Sequence, residues 1–158
     1  MQVWVIDTSS VIELRQIPRP DRQPVLDALT ALVDGDAMYF PPQVLGELDR
    51  HSDVAHRWAK ANATKGCRLG HLYPEGAQIL GRLPNLIDHT KIGVDQADPY
   101  VVATAQVLAK QNHQVTVITD DVRTRPTRTS LSAAAGAFGF PAVPMSIFLH
   151  TQGIYIQP

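Results

Sequence analysis

Apolar runs and apolar stripes of helical spacing alternate along the chain. Residues 3–6 form an unbroken apolar run that ends at Asp7, and residues 115–119 form a β-branched run that ends at Asp120 and Asp121. Runs of this length are typical of strands buried on both faces. Shorter runs predict two further strands, over residues 37–40 and 141–143.

Between these runs, apolar side chains recur three and four positions apart, which predicts helices. We expect them over residues 9–15, 21–34, 52–63, 74–83, 99–111, 130–138 and 145–151, with another that begins at Pro42. Asp21 and Asp98 are the expected caps of two of these helices, because short polar side chains bond the free N–H groups of a first turn. The prolines at positions 18, 20 and 24 predict a stiff connection ahead of the second helix.

Strands that alternate with helices are typical of an α/β fold. A length of 158 residues is enough for one domain with a sizeable core. The sequence therefore predicts a single α/β domain over residues 1–158, with a mostly parallel central sheet flanked by helices.

Composition narrows the classes of function. The formal net charge is −1, so any contact with nucleic acid requires a local basic patch. Cys67 is the only cysteine, which excludes an intramolecular disulfide and suits a reducing compartment. No apolar stretch approaches the ~20 residues of a membrane span, and the N-terminus lacks a basic leader. We expect a cytoplasmic protein that does not contact a membrane.

Four acidic residues occupy positions where α/β folds bind ligands. Asp7 and Asp121 follow predicted strands, and Glu47 and Asp98 lie near the starts of predicted helices. In open α/β sheets the ligand site lies at the carboxyl ends of the strands. Taken alone, Asp7 fits equally well as a helix cap. The recurrence of an acid after the second long run favours a shared site.

Four carboxylates in one cleft repel one another, which raises their pKa values. A divalent cation removes this repulsion. Mg²⁺ prefers oxygen ligands, of which one or two are usually carboxylates and several are water. A site of this composition suits hydrolysis of a phosphodiester bond, because the metal stabilises the developing charge and lowers the pKa of its bound water.

The order of these acidic motifs resembles that of PIN-domain nucleases. The matching segments are residues 5–9 (Val-Ile-Asp-Thr-Ser), 44–48 (Val-Leu-Gly-Glu-Leu), 97–105 (Ala-Asp-Pro-Tyr-Val-Val-Ala-Thr-Ala) and 117–121 (Val-Ile-Thr-Asp-Asp). The resemblance covers nearly the whole chain. The most similar subgroup is the VapC-like toxins of toxin–antitoxin systems.

The resemblance implies an endoribonuclease that uses Mg²⁺ or Mn²⁺ to hydrolyse RNA, with a protein antitoxin and a second copy of the chain as partners. It assigns the catalytic and metal-binding roles to Asp7, Glu47, Asp98 and Asp121. It adds Ser9, Thr119 and Asp120 as neighbouring motif residues. Consecutive strand residues point to opposite sides, so either Asp120 or Asp121 faces the metal, and the motif register favours Asp121.

Two features depart from the family pattern. The chain is longer than a minimal toxin of this type, and residues 122–126 (Val-Arg-Thr-Arg-Pro) replace the aromatic residue that commonly follows the last acid. The alternative function is therefore a catalytically inactive PIN-like module that binds RNA or protein.

A short basic segment follows the last acid. Arg123, Arg125 and Arg128 are expected to bind RNA phosphates, because guanidinium groups match phosphate oxygens in pairs. The alternative is an ordinary solvated loop.

Asp95 lies three residues before Asp98. It either adds an acid to the metal site or caps its loop, and capping is favoured.

Histidines and the cysteine raise the question of a zinc site. His51, His56, Cys67 and His71 lack the paired close spacing of structural zinc ligands. The sequence therefore argues against zinc.

Overall fold

Four parallel strands form the centre of the computed structural model, which describes residues 1–50 and 53–156. The strands are β1 (Gln2–Ile6), β2 (Met38–Tyr39), β3 (Gln114–Ile118) and β4 (Ala142–Val143). Their order across the sheet is β2-β1-β3-β4. The two long apolar runs are therefore the inner pair, and each outer strand has only two residues.

Helices cover the sheet and connect its strands. They are α1 (Thr8–Ile12), α2 (Arg19–Asp34), α3 (Pro42–Leu48), α4 (Val54–Ala61), α5 (Ala63–Gly66), α6 (Tyr73–Arg82), α7 (Asp98–Lys110), α8 (Leu131–Ala137) and α9 (Met145–Thr151). Two 3-10 turns lie at Glu13–Gln16 and Pro84–Leu86. This alternation of strands and helices confirms the predicted α/β class.

One continuous hydrophobic core joins the sheet to its helices. In β1, Val3, Val5 and Ile6 are fully buried, as are Val117 and Ile118 in β3. Helix α7 packs against both inner strands and against α6. The core therefore places the carboxyl ends of β1 and β3 directly beside the first turn of α7.

The start of the second helix differs from the sequence prediction. Instead of being capped by Asp21, α2 begins at Arg19 after Pro18, and Pro20 and Pro24 lie within it. The predicted connection over the prolines is wrong for two reasons. Pro20 lies in the first helical turn, where N–H groups have no helical partner and proline is tolerated, and the helix also accommodates Pro24 beyond that turn. The Asp21 carboxylate instead accepts a hydrogen bond from the Tyr155 hydroxyl at 3.0 Å.

Two other boundaries differ from the prediction. The N-cap of α7 is Ala97, so Asp98 is the first residue of the helix and not its cap. The predicted helix over residues 52–63 is two helices, α4 and α5, and Asp53 caps the first of them. His51 and Ser52, at the predicted start, lie outside the described residues.

Within the described ranges, no helix has both the length and the apolar character that crossing a membrane requires.

Candidate active site

The structure brings the four predicted acids to one open pocket of about 620 Å³ at the carboxyl edge of the sheet. The acids that line it are Asp7, Glu47, Asp98 and Asp121. Two of them follow the inner strands, one lies on α3 and one begins α7. Parallel strands end at one edge of the sheet, so residues far apart in the sequence meet there.

Asp7 is the most deeply held of these acids, with 2 % of its surface exposed. Its Oδ1 accepts a hydrogen bond from the Ser9 backbone N–H at 2.8 Å, which caps α1. Its Oδ2 accepts hydrogen bonds from the Thr119 hydroxyl at 2.5 Å and the Ser9 hydroxyl at 3.0 Å. Asp7 therefore both caps a helix and faces the pocket, and the two roles considered from the sequence coexist.

Asp120 and Asp121 point in different directions. The Asp121 backbone N–H donates to the Thr119 hydroxyl oxygen at 3.0 Å, and its carboxylate lines the acidic pocket. The Asp120 carboxylate lies on the side of α9, where its Oδ2 accepts from the Ser10 hydroxyl at 2.6 Å and from the Met145 N–H at 3.2 Å. Asp121 is thus the member of the pair that joins the other three acids.

Glu47 connects three elements at the pocket. Its Oε1 accepts a hydrogen bond from the Thr8 hydroxyl at 2.5 Å, and its Oε2 accepts one from the Ala97 N–H at 3.4 Å. The first contact reaches the start of α1 and the second the start of α7. Sequence reasoning missed Thr8, although its place directly after Asp7 in the helix-start segment is a usable signal.

Asp98 pairs with a cation from the chain itself. Oδ2 of Asp98 accepts a hydrogen bond from the Arg128 guanidinium at 2.6 Å, and 8 % of the Asp98 surface is exposed. The Arg128 Nε is buried and has no hydrogen-bond partner in the part of the chain that the structure describes. Because Asp98 begins α7 without capping it, its carboxylate is available for this contact.

The proton affinities of these acids reflect their crowding. Burial and the negative charge of Glu47 raise the pKa of Asp7 to about 6, against the lowering effect of hydrogen bonds from Thr119 and Ser9. Burial raises the pKa of Asp98 well above its usual range. The charges of Asp7, Glu47 and Asp121 add to this rise, and Arg128 opposes it. Crowded carboxylates with raised pKa values are typical of functional sites.

A second cavity, of about 770 Å³, adjoins the acidic pocket and is named here the arginine cavity. It is lined by Arg123, Arg125 and Arg128, with the loop residues Asn85, Asp88, His89 and Thr90 opposite them. Arg125 and Arg128 exchange backbone hydrogen bonds of 2.9 and 3.1 Å, which fold the loop back on itself. Asp121 and Arg128 line both cavities, so the two adjoin.

Asp95 lies at the rim of the acidic pocket and does not cap α7. Its carboxylate faces the phenol groups of Tyr73 and Tyr100. The pKa of each phenol is raised, first by desolvation and then by the Asp95 charge. Asp95 therefore contacts two tyrosines at the rim of the pocket, and its role as a cap of its own loop stays a prediction.

The described residues considered for zinc each have other surroundings. His56 bonds Asp49 at 2.7 Å, His71 stacks on Tyr73, and burial raises the pKa of the Cys67 thiol to about 12. His51 is outside the described residues. Among the described residues, no three His, Cys, Asp or Glu side chains are arranged to hold one metal ion directly.

The four acids around the pocket nevertheless have the chemistry that Mg²⁺ or Mn²⁺ requires. All of them offer hard carboxylate oxygens, and such cations bind through one or two carboxylates while keeping several waters. Direct coordination of the cation by three side chains is therefore not needed. Hydrogen bonds from Ser9, Thr119, Thr8 and Arg128 fix the orientation of these carboxylates, as outer partners do in metal sites.

Fold and pocket together define the class: an α/β protein with an acidic pocket at the carboxyl edge of a parallel sheet. The chain belongs to the family described as domain of unknown function DUF4411, whose family model matches residues 4–156. The matched region contains all four acids and the loop that carries Arg123, Arg125 and Arg128. No curated protein matches the chain.

Proposed function

We propose that the protein is a metal-dependent endoribonuclease of the PIN type. The observation that carries the proposal is the convergence of Asp7, Glu47, Asp98 and Asp121 on one pocket, where charge repulsion and burial raise the pKa of Asp98. A protein gains no stability from such an arrangement, because like charges in a desolvated site repel one another. A chemical role for the four carboxylates accounts for their position in one pocket better than a structural role does.

The donor set supports a divalent cation as cofactor. Asp7 and Asp98 are the residues that would bind Mg²⁺ or Mn²⁺ directly, with Glu47 and Asp121 holding its waters. When bound, the ion supplies charge neutralisation and a water of lowered pKa. The hydroxyls of Ser9 and Thr119, which donate to Asp7, orient that carboxylate for the task.

The reaction that this pocket supports is hydrolysis of an RNA phosphodiester. A water oriented by the carboxylates attacks phosphorus in line with the bond to the 3′ oxygen. The new phosphorus–oxygen bond forms as the old one breaks, and the water's proton ends on the departing 3′ oxygen. The products are a 5′-phosphate and a 3′-hydroxyl. Arg128 pairs with Asp98 and lines both the acidic pocket and the arginine cavity, where its guanidinium can bind a phosphate oxygen of the substrate.

Cleavage of a labelled RNA tests the proposal. We expect cleavage with Mg²⁺ or Mn²⁺ and none in EDTA. We expect Asp98→Asn to lower the rate at least about 100-fold, because it removes a carboxylate that would hold the cation, and loss of even an outer partner of a metal ligand costs about 10–100-fold. Asp27→Asn, which changes an exposed carboxylate on α2, is the matched control and should cleave normally. Cleavage that persists in EDTA or in Asp98→Asn would refute the metal mechanism.

The resemblance to VapC-like toxins also suggests what the proposed activity does in the cell. We propose a cytoplasmic toxin that forms a homodimer and is inhibited by a protein antitoxin. Expression of the wild-type chain should then arrest growth, whereas Asp98→Asn at equal protein level should not. Growth arrest by both variants would separate toxicity from nuclease activity and favour the inactive RNA- or protein-binding module.

A further inference from the structure

Two stacked aromatic rings stand on the surface beside the acidic pocket. The rings of His71 and Tyr73 lie with their centroids 5.1 Å apart and their planes 15° from parallel. Both side chains are exposed, and Tyr73 retains 52 % of its accessible surface. His71 and Tyr73 are called the aromatic pair below. An exposed stack of this kind has aromatic surface to offer a ligand.

The backbone between the two rings is held in an unusual conformation. Leu72 has a φ of +54°, in the left-handed region that residues other than glycine rarely adopt. The buried Gln43 side-chain amide donates a hydrogen bond to the His71 carbonyl at 3.0 Å, which fixes the segment from below. Strained backbone held by its surroundings is often found at functional sites.

A third ring supports the pair from the side. Tyr100 meets Tyr73 edge to face, with ring centroids 5.7 Å apart and planes at 87°. Tyr100 can lie this close to α6 only because residue 76 is glycine, since a Cβ there would stand 2.3 Å from its ring carbon Cε1. Tyr100 therefore fixes the position of Tyr73 on α6.

The aromatic pair is attached to the acidic pocket in two ways. Gln43 and Glu47 lie four residues apart on α3, which places them on the same face of the helix. One holds His71 and the other lines the pocket. In addition, Asp95 at the pocket rim faces the phenols of Tyr73 and Tyr100.

The pair and the arginine cavity are attached to the acidic pocket through different residues. The pair is attached through α3, which follows the outer strand β2, and through Asp95, whereas the arginine cavity shares Asp121, which follows β3, and Arg128 with the pocket. The arginine cavity suits phosphates. The aromatic pair has Asp95 beside it, which repels phosphates but not uncharged bases. A strand of nucleic acid bound at the pocket therefore has a site for a base at the aromatic pair and a site for its backbone at the arginine cavity.

We propose that the aromatic pair is a stacking site for one nucleobase, so that an RNA bound at the acidic pocket is unpaired at the position that reaches the pair. The inference rests on the proposed ribonuclease function and adds a base-binding subsite to it. Unpaired bases stack on Tyr and His rings in single-strand-binding proteins, and every base offers a face for such a contact. Bases inside a duplex are already stacked on each other and cannot reach the rings.

Binding measured without cleavage tests the inference. The probes are a short fluorescein-labelled oligoadenylate, an abasic RNA of the same length, and the oligoadenylate annealed to oligouridylate, each titrated in EDTA and followed by fluorescence anisotropy. We expect the wild-type chain to bind oligoadenylate about tenfold more tightly than either other probe. Tyr73→Ala should remove most of this preference, and Tyr73→Phe, which keeps the ring, should retain it.

The control variant is Tyr155→Ala, a tyrosine that lies outside both cavities at the acids and should leave the preference unchanged. His71→Ala, which removes the other ring of the pair, provides a second variant if Tyr73→Ala fails to fold in a thermal melt. Equal affinity for oligoadenylate and abasic RNA, or tight binding of oligoadenylate that neither ring variant weakens, would overturn the stacking site.

The two proposals fail in different ways. If the protein binds oligoadenylate through Tyr73 but never cleaves RNA with Mg²⁺ or Mn²⁺, the stacking site is supported and the proposed nuclease function is refuted. If it cleaves RNA in a metal-dependent way but its affinity does not depend on Tyr73, the nuclease function is supported and the stacking site is refuted.

Discussion

At the scale of single residues, Asp98 is the group on which activity and stability make opposite demands. It is buried among three other carboxylates, and its only cationic partner among the described residues is Arg128. The folded state therefore binds a proton at Asp98 more tightly than the unfolded chain does. Stability that depends on this proton is present at low pH and is lost as the pH rises through the folded pKa.

Asp98→Asn should make the protein more stable near neutral pH while abolishing cleavage. We expect the free energy of unfolding to rise by about 0.5–2 kcal/mol, the usual gain when an unfavourable functional charge is removed. The gain should shrink as the pH falls from the raised pKa of folded Asp98 towards about 4, and it should be absent below about 4, where the wild-type carboxyl is protonated in both states. Urea unfolding at several pH values measures it.

Asp27→Asn is the control for this measurement, because that carboxylate is exposed on α2. Its unfolding curve should match that of the wild type at every pH. A loss of stability in Asp98→Asn near neutral pH would contradict the prediction and would show that the ion pair with Arg128 outweighs the repulsion from the other acids.

At the scale of elements, the packing of α5 depends on a residue without a side chain. Gly66 ends this short helix, and a Cβ there would lie 2.3 Å from Cε1 of Phe40. The Phe40 ring is fully buried against Trp58, with ring centroids 5.8 Å apart. It therefore has little room to move aside.

Gly66→Ala should destabilise the fold by about 1–3 kcal/mol, the usual cost of overpacking a core. Gly81→Ala is the matched control, since Gly81 lies in α6 with nothing within 4 Å of the added carbon. It should raise stability by about 0.5–1 kcal/mol because alanine favours helix over glycine. Thermal unfolding of both variants checks the pair, and similar melting temperatures would contradict the packing argument.

Sequence patterns predicted the elements that carry a strong period and missed those that depend on contacts. The β-branched runs before Asp7 and Asp121 indicated the two inner strands, and the apolar stripe after Pro99 indicated α7. The short helix α5 was missed because four residues show no period. The start of α2 was misplaced because a proline pattern fits both a connection and a first helical turn.

The candidate site likewise has a part that the sequence indicated and a part that it did not. The meeting of Asp7 with Asp121 follows from strand topology, which a sequence pattern indicates. The contact of Arg128 with Asp98 and the stacking of His71 on Tyr73 depend on side-chain positions in irregular segments. No periodicity encodes such positions, and His71 was considered from the sequence only as a zinc ligand.

At the scale of the whole molecule, a formal net charge of −1 gives RNA no general attraction to the protein. The proposed binding of RNA must therefore depend on local groups, and Arg123 and Arg125 are exposed cations of the arginine cavity. Contacts between cations and phosphates release counterions, so they give affinity a dependence on salt concentration.

Changing Arg123 and Arg125 together to Gln should weaken binding of single-stranded RNA and reduce its salt dependence. Each lost phosphate contact lowers the slope of log affinity against log salt by about 0.7. Arg128 is kept so that its contact with Asp98 remains. The control changes Arg57 and Lys60, two exposed cations of α4, to Gln in the same way. An equal slope of log affinity against log salt in both double variants would refute a phosphate-binding role for Arg123 and Arg125.

The two-residue length of β2 and β4 limits how copies of this protein can associate. These strands are the borders of the sheet, and so short a border offers few free backbone groups for another chain to continue the ladder. A homodimer of the proposed kind would therefore be built by packing side chains of helices across a two-fold axis. The same short edges leave few backbone groups from which a strand-by-strand aggregate could start.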